Sequence, residues 1–120
     1  MVNLDYKDSR SLHEQIADGI KELIISGALS EHEQLPSVRE LSISLTVNPN
    51  TVQKAYKELE AEGFIYSVKG RGNFVSPMHD AKNEKRLEEL YDTLGHTIKE
   101  LLYLGEEKEK IISIIKEETL

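Results

Sequence analysis

Between Leu35 and Val52 the chain reads Leu35-Pro36-Ser37-Val38-Arg39-Glu40-Leu41, then Val47-Asn48-Pro49-Asn50-Thr51-Val52. Ser37 followed three residues later by Glu40 has the spacing of a capping box, which predicts a short helix from about Val38 to Leu45. Asn48 is a second N-cap, with Pro49 at the first helical position, where a missing N–H costs nothing. Only Thr46-Val47 separate the two helices. So tight a turn fixes their mutual angle, and the second helix projects from the body. Downstream, Phe64-Ile65-Tyr66-Ser67-Val68 and Asn73-Phe74-Val75 flank Lys69-Gly70-Arg71-Gly72, a glycine-containing link that signals a hairpin. Helix, turn, helix and basic hairpin, in that order, describe a winged helix-turn-helix, a device for placing one helix in the major groove of DNA.

The flanking residues complete a fold that is mainly α with a small β-hairpin. Residues 1–10 read as a short lead. Ser11 is an N-cap with Glu14 at the capping-box position, and Leu12, Ile16, Ile20, Leu23 and Ile24 form one apolar stripe at helical spacing, stopped by Gly27. Residues 28–36 read as a loop. Val38, Leu41 and Leu45 take the inner face of the second helix; Val52, Ala55, Tyr56 and Leu59 take that of the third, which Gly63 ends. The winged helix-turn-helix spans residues 1–76, a linker opens at Ser76-Pro77-Met78 and covers 77–82, and a two-helix tail occupies 83–120.

In the tail, Leu87, Leu90, Tyr91, Leu94, Ile98, Leu101 and Leu102 follow heptad-like spacing. Gly105 interrupts them, and Ile111, Ile112, Ile114 and Ile115 make a second, strongly apolar helix. Neither helix can bury that surface alone, so pairing across a two-fold axis is expected, with Leu87 through Leu102 and Ile111, Ile112 and Ile115 as the dimerisation surface. The other way to cover it is for the tail to fold back on its own winged domain.

The net charge of −7 argues against a nucleic-acid partner only until its distribution is read. Residues 1–76 carry eight Lys/Arg against eleven Asp/Glu, yet from Gly63 to Ser76 the only charged residues are Lys69 and Arg71. Local fields decide docking, while overall charge mainly affects solubility and non-specific binding. Modest non-specific affinity is expected, with tight binding relying on a dimer. Near the start of the third helix Asn48, Asn50, Thr51 and Gln53 are hydrogen-bonding groups: Asn and Gln can pair with adenine, and Thr can bond a phosphate or touch a thymine methyl. Lys54 and Lys57 can reach backbone phosphates. Ser37 reads as a cap whose helix start can also abut a phosphate. Arg39 reads either as a solvated surface residue or as a bidentate ligand of guanine or phosphate. Lys69, Gly70 and Arg71 read either as a solvated turn or as a wing tip entering the minor groove.

Other chemistries find little support. Cysteine is absent, and His13, His32, His79 and His96 are scattered without ligand spacing, so neither thiol chemistry nor a zinc site is expected. No nucleophile sits beside a base, and Lys69-Gly70-Arg71-Gly72-Asn73 lacks phosphate-loop spacing, so neither an enzyme nor a cofactor is expected. No apolar run approaches the ~20 residues needed to cross a bilayer, and no secretion signal is visible. The expected location is the cytoplasm. The competing binding reading keeps the winged helix but makes it a protein-interaction module for a basic partner.

Taken as a set, Leu35-Pro36-Ser37-Val38-Arg39-Glu40-Leu41, Val47-Asn48-Pro49-Asn50-Thr51-Val52, Ala55-Tyr56-Lys57-Glu58-Leu59, Glu62-Gly63 and Gly70-Arg71-Gly72-Asn73-Phe74-Val75 resemble the DNA-binding domain of GntR-family bacterial transcription regulators over about residues 9–76. The resemblance implies a winged helix bound as a homodimer to a palindromic double-stranded operator, usually repressing transcription. It implies DNA contacts at Arg39, Asn48, Asn50, Thr51, Gln53, Lys69 and Gly70. Some members carry arginine where this chain has Pro49 and Gln53, so the operator sequence does not carry over. The roughly 44 residues left are too few for a separate effector domain with its own core. Their length and helical character resemble the YtrA-like subgroup, which implies control of neighbouring ATP-binding-cassette transporter genes. No effector is identified; Tyr91 and Tyr103 are the tail aromatics that an effector groove would use.

Overall fold

The computed structural model describes residues 2–77 and 83–118; most of the expected linker, including His79, lies outside the described residues. The elements run α1 (Leu12–Ile25), α2 (Val38–Leu45), α3 (Pro49–Ala61), β1 (Ile65–Val68), β2 (Gly72–Val75), α4 (Asn83–Tyr103) and α5 (Lys108–Glu117). They divide into two compact units, Met1–Asn83 and Glu84–Leu120.

Local signals account for the helix ends of the first unit. Ser11 accepts a hydrogen bond from the Glu14 amide at 3.3 Å, but the expected box closes only by half. The Glu14 carboxylate takes the Ser11 hydroxyl at 3.0 Å instead of reaching back to the backbone. At α2 both halves form: Ser37 Oγ accepts from Glu40 N at 3.0 Å, and Glu40 Oε1 accepts from Ser37 N at 3.3 Å. Asn48 caps α3 by accepting from Asn50 N at 2.8 Å. Gly27 and Gly63, at φ of 83° and 84°, follow α1 and α3 in the left-handed region that glycine enters without strain.

α3 is the centre of this unit, with α1, α2 and β1 all packed on it. Val52, Ala55, Tyr56 and Leu59 face inward as the sequence predicts, against Ile16, Ala17 and Ile20 of α1, Leu41 of α2, Leu35, Ile65 and Val75. Each fully buried aliphatic side chain contributes roughly 1.5–3 kcal/mol. Lys21 of α1 pairs with Glu62 beyond α3 and lies 5.6 Å from the Phe64 ring centroid, closing the edge of this packing.

Two segments are more ordered than their sequence suggests. The lead is docked: Val2 is buried against Gly19, where a Cβ would stand 3.0 Å from Val2 Cγ1. Buried Gln15 clamps it, accepting from Asp5 N at 2.8 Å and donating to Asp5 O at 2.9 Å and Arg10 O at 3.1 Å. The expected 28–36 loop also joins the hairpin. β1 and β2 pair antiparallel with Ile65 opposite Val75 and Val68 opposite Gly72, so β2 begins one residue earlier than predicted. Gln34 then bridges Phe74 on the other side of β2.

The second unit is built differently. α4 ends before Gly105 (φ 94°), and the N-cap position of α5 is Glu107, whose side chain makes no cap bond. None of its described side chains is buried. Leu87, Leu90, Tyr91, Leu94, Leu102, Ile112 and Ile115 are exposed, and Ile98, Leu101 and Ile111 are half-buried.

Candidate nucleic-acid interface

The turn between α2 and α3 is held by backbone bonds from Thr46 N to Ile43 O (3.2 Å) and from Val47 N to Ser42 O (3.0 Å). Thr46 adopts φ 56°, ψ 49°. A β-branched residue in the left-handed region carries strain, so the surrounding packing must impose this turn. Buried Leu41 and half-buried Val47 supply that packing. Tyr56 on the inner face of α3 adds a long-range tie, its hydroxyl donating to Pro36 O at 2.6 Å. Burial pushes the Tyr56 phenol well above its ordinary value, with the Glu40 charge adding to the effect, so the donor keeps its proton.

With that inner face committed, the rest of α3 is available. Asn50, Gln53, Lys54 and Lys57 are exposed, and Thr51 is half-buried. Asn48 is exposed, but its Oδ1 is occupied by the cap. A bidentate adenine contact needs both the oxygen and the nitrogen of the amide, so in this rotamer Asn48 has only its Nδ2 donor to offer. Ser37 is likewise engaged with Glu40, while Arg39 beside it is exposed.

The hairpin turn presents Lys69, Gly70 and Arg71 to solvent, closed by Arg71 N donating to Val68 O at 2.9 Å, with Gly70 at φ 78°. Across the strands Tyr66 stacks on Phe74 (centroids 5.6 Å apart), and His32 meets Tyr66 edge-on at 5.8 Å, its Nδ1 lying 2.7 Å from the Tyr66 hydroxyl. His32 thus belongs to the hairpin, although nothing near it in sequence indicates so.

Ion pairing separates the cations of the first unit. Arg10 pairs with Asp8 and Asp18, and Lys21 with Asp18 and Glu62. Among the described residues Arg39, Lys54, Lys57, Lys69 and Arg71 have no ion pair, and only Lys7 shares that state in this unit. The five cations singled out by sequence therefore remain unneutralised in a chain of net negative charge. Among the described residues no group of three or more His, Asp or Glu side chains is arranged to hold a metal ion, and no helix is long and apolar enough to cross a membrane.

Comparison with known proteins agrees with this geometry. Residues 12–75 match the model for bacterial regulatory proteins of the gntR family. The chain is 41% identical over 120 residues to the HTH-type transcriptional repressor YtrA of Bacillus subtilis (strain 168), covering 98% of this chain and 91% of that protein. Among solved structures it is similar to a transcriptional antiterminator from Listeria monocytogenes EGD-e, with a TM-score of 0.85, 40% identity, and coverage of 98% of this chain and 88% of that one. It is also similar to AraR(DBD) in complex with operator ORE1, at a TM-score of 0.55 and 28% identity, covering 63% of this chain and 93% of that one.

Proposed function

The chain belongs to the GntR family of bacterial regulatory proteins and is a DNA-binding transcription regulator, and on that premise we propose that it acts as a homodimeric repressor reading a palindromic operator. The observation that carries the reading is the division of α3: Val52, Ala55, Tyr56 and Leu59 are buried, while Asn50, Gln53, Lys54 and Lys57 remain exposed at the end of a strained, packed turn. In this reading α3 lies in the major groove. Asn50 and Gln53 take base edges, Thr51 and the Nδ2 of Asn48 take a phosphate or a base edge, and Lys54 and Lys57 take phosphates. Arg39 makes a bidentate contact beside the Ser37 cap, and the Lys69-Gly70-Arg71 tip rests on the flanking minor groove or its phosphates.

Dimerisation through α4 and α5 is part of the same proposal. Their exposed Leu and Ile side chains need a cover, and a second copy supplies a self-complementary one. Two protomers then present two α3 helices to half-sites a helical turn or more apart. Control of neighbouring transporter genes, implied by the YtrA-like resemblance, belongs to this reading as well.

Selection of duplexes from a random pool tests it. The expected product is an inverted repeat bound with a steep dependence on salt. Arg39→Ala should weaken binding by roughly 1–3 kcal/mol and relax base preference at one position per half-site. Lys57→Ala should weaken binding to all sequences alike. If the protein enriches no sequence, or the two variants behave identically, the assignment of roles fails.

A further inference from the structure

We infer that Gln34 is a positioning residue for the hairpin tip, holding Lys69-Gly70-Arg71 in register with α2 and α3. The inference rests on the reading that this tip meets DNA.

Two four-residue strands make a marginal hairpin, and here a third segment steadies it. His32 N donates to Val75 O at 2.8 Å, Val75 N to Glu33 O at 2.9 Å, and Leu35 N to Asn73 O at 2.8 Å. These bonds stop at Asn73. Beyond it the tip has its own turn bond from Arg71 N to Val68 O, and one reach from outside: Gln34 Nε2 donates to Arg71 O at 2.7 Å. Gly72 makes room for that reach. A Cβ there would stand 2.9 Å from Gln34 Nε2, and Gly72 sits at φ 121°. The amide therefore fixes the peptide leaving Arg71, between Gly70 and Gly72, the two residues best able to let the tip swing.

The same segment is anchored at its other end. Leu35 is buried in the core, Pro36 O accepts the Tyr56 hydroxyl of α3, and Ser37 caps α2. Residues 32–37 thus refer the tip, α3 and the start of α2 to one strap. A tip held in place before binding has less freedom to lose on the duplex, so losing the Gln34 bond weakens binding without removing any group that touches DNA.

The test uses the full chain and a duplex that the wild-type protein selects from a random pool. Gln34→Met keeps the length and removes the donor; Gln34→Ala is a second variant should Met distort the strap. Each is combined with Lys69→Ala/Arg71→Ala. Gln34→Met is expected to weaken binding about three- to tenfold, the range of one hydrogen bond's net contribution. It should do so only when Lys69 and Arg71 are present, with α3 base preferences unchanged and hydroxyl-radical protection lost at the same flanks as in Lys69→Ala/Arg71→Ala. An unchanged affinity, or an equal loss in both backgrounds, overturns the role of Gln34 alone. A Lys69→Ala/Arg71→Ala protein that binds like wild type overturns the wing contact and, with it, this inference.

Discussion

In the first unit Ile16, Ile20, Val52 and Leu59 are fully buried within a single chain; in the second, Leu87 is 52% exposed, Ile112 48% and Ile115 60%. Both units contain helices with regular apolar stripes, so pattern alone does not separate them. What separates them is whether each unit supplies its own opposing surface. α3 is enclosed by α1, α2 and β1. α4 and α5 carry their apolar residues on helices with no buried described side chain. The lesson is that a stripe marks a surface that must be covered, and the number of copies needed to cover it is decided elsewhere.

The comparison breaks first, and most severely, in the core. Leu59→Ala should destabilise the protein by about 2–5 kcal/mol, lowering the thermal midpoint by the same amount at every protein concentration. Ile112→Ala should show a loss that varies with concentration, because in the proposed dimer its cover comes from another molecule. A concentration-independent loss at Ile112 would place its partner within the chain.

Leu90→Glu/Leu94→Glu tests the cover directly. Glutamate is nearly as good a helix former as leucine, so far-UV circular dichroism should hardly change. Under the proposed dimer, sedimentation should shift to a single copy, and operator affinity should fall roughly a hundredfold as the two half-sites cease to be linked. A protein that still sediments as two copies removes α4 from the interface.

Smaller effects sharpen the contrast in polar ties. Tyr56→Phe should cost about 0.5–1.5 kcal/mol near neutrality, leaving Pro36 O without its donor. Because folding raises the Tyr56 pKa, its protonated state favours the fold fully below the unfolded value near 10, and that contribution is lost as pH rises beyond it. Alkaline titration of the melting temperature should therefore fall less steeply in Tyr56→Phe than in the wild type. Equal slopes would show that another group governs the alkaline limb. At the helix starts, Asn48→Ala should cost about 1 kcal/mol in urea melts, whereas Glu107→Ser should add a few tenths, since α5 alone of α1, α2, α3 and α5 lacks a side-chain cap bond.

Much of the first unit is legible because its signals are local. Ser37 with Glu40, Asn48 with Pro49, and the glycines after α1 and α3 act within a few residues of themselves, and the elements fall where those residues place them. The capping pattern at Ser11 and Glu14 shows the limit: the spacing is right, but the carboxylate has a nearer donor in the serine hydroxyl and takes it. The exposed face of α3 follows from its buried one, so Asn50, Gln53, Lys54 and Lys57 are readable as candidates. That Asn48 has its oxygen committed to a cap is readable too, once its two duties are weighed together.

Gln34, His32, Val2 and Gln15 could not be read this way. Each acts on a partner brought near only by folding: Gln34 on the carbonyl of Arg71, His32 on Tyr66, Val2 on the bare face of Gly19, and Gln15 on the backbone of the lead. The chain's own order of residues determined where helices begin and end, which side of each is apolar, and where positive charge gathers, since caps, periodicity and glycine act over one or two turns. The tertiary structure decided that a stretch without helical or strand periodicity becomes the third member of the hairpin and that, among the described residues, Arg39, Lys54, Lys57, Lys69 and Arg71 are left without an ion pair. Those outcomes depend on which distant atoms come within hydrogen-bond or ion-pair reach, and that distance is set only when the whole unit has closed around α3.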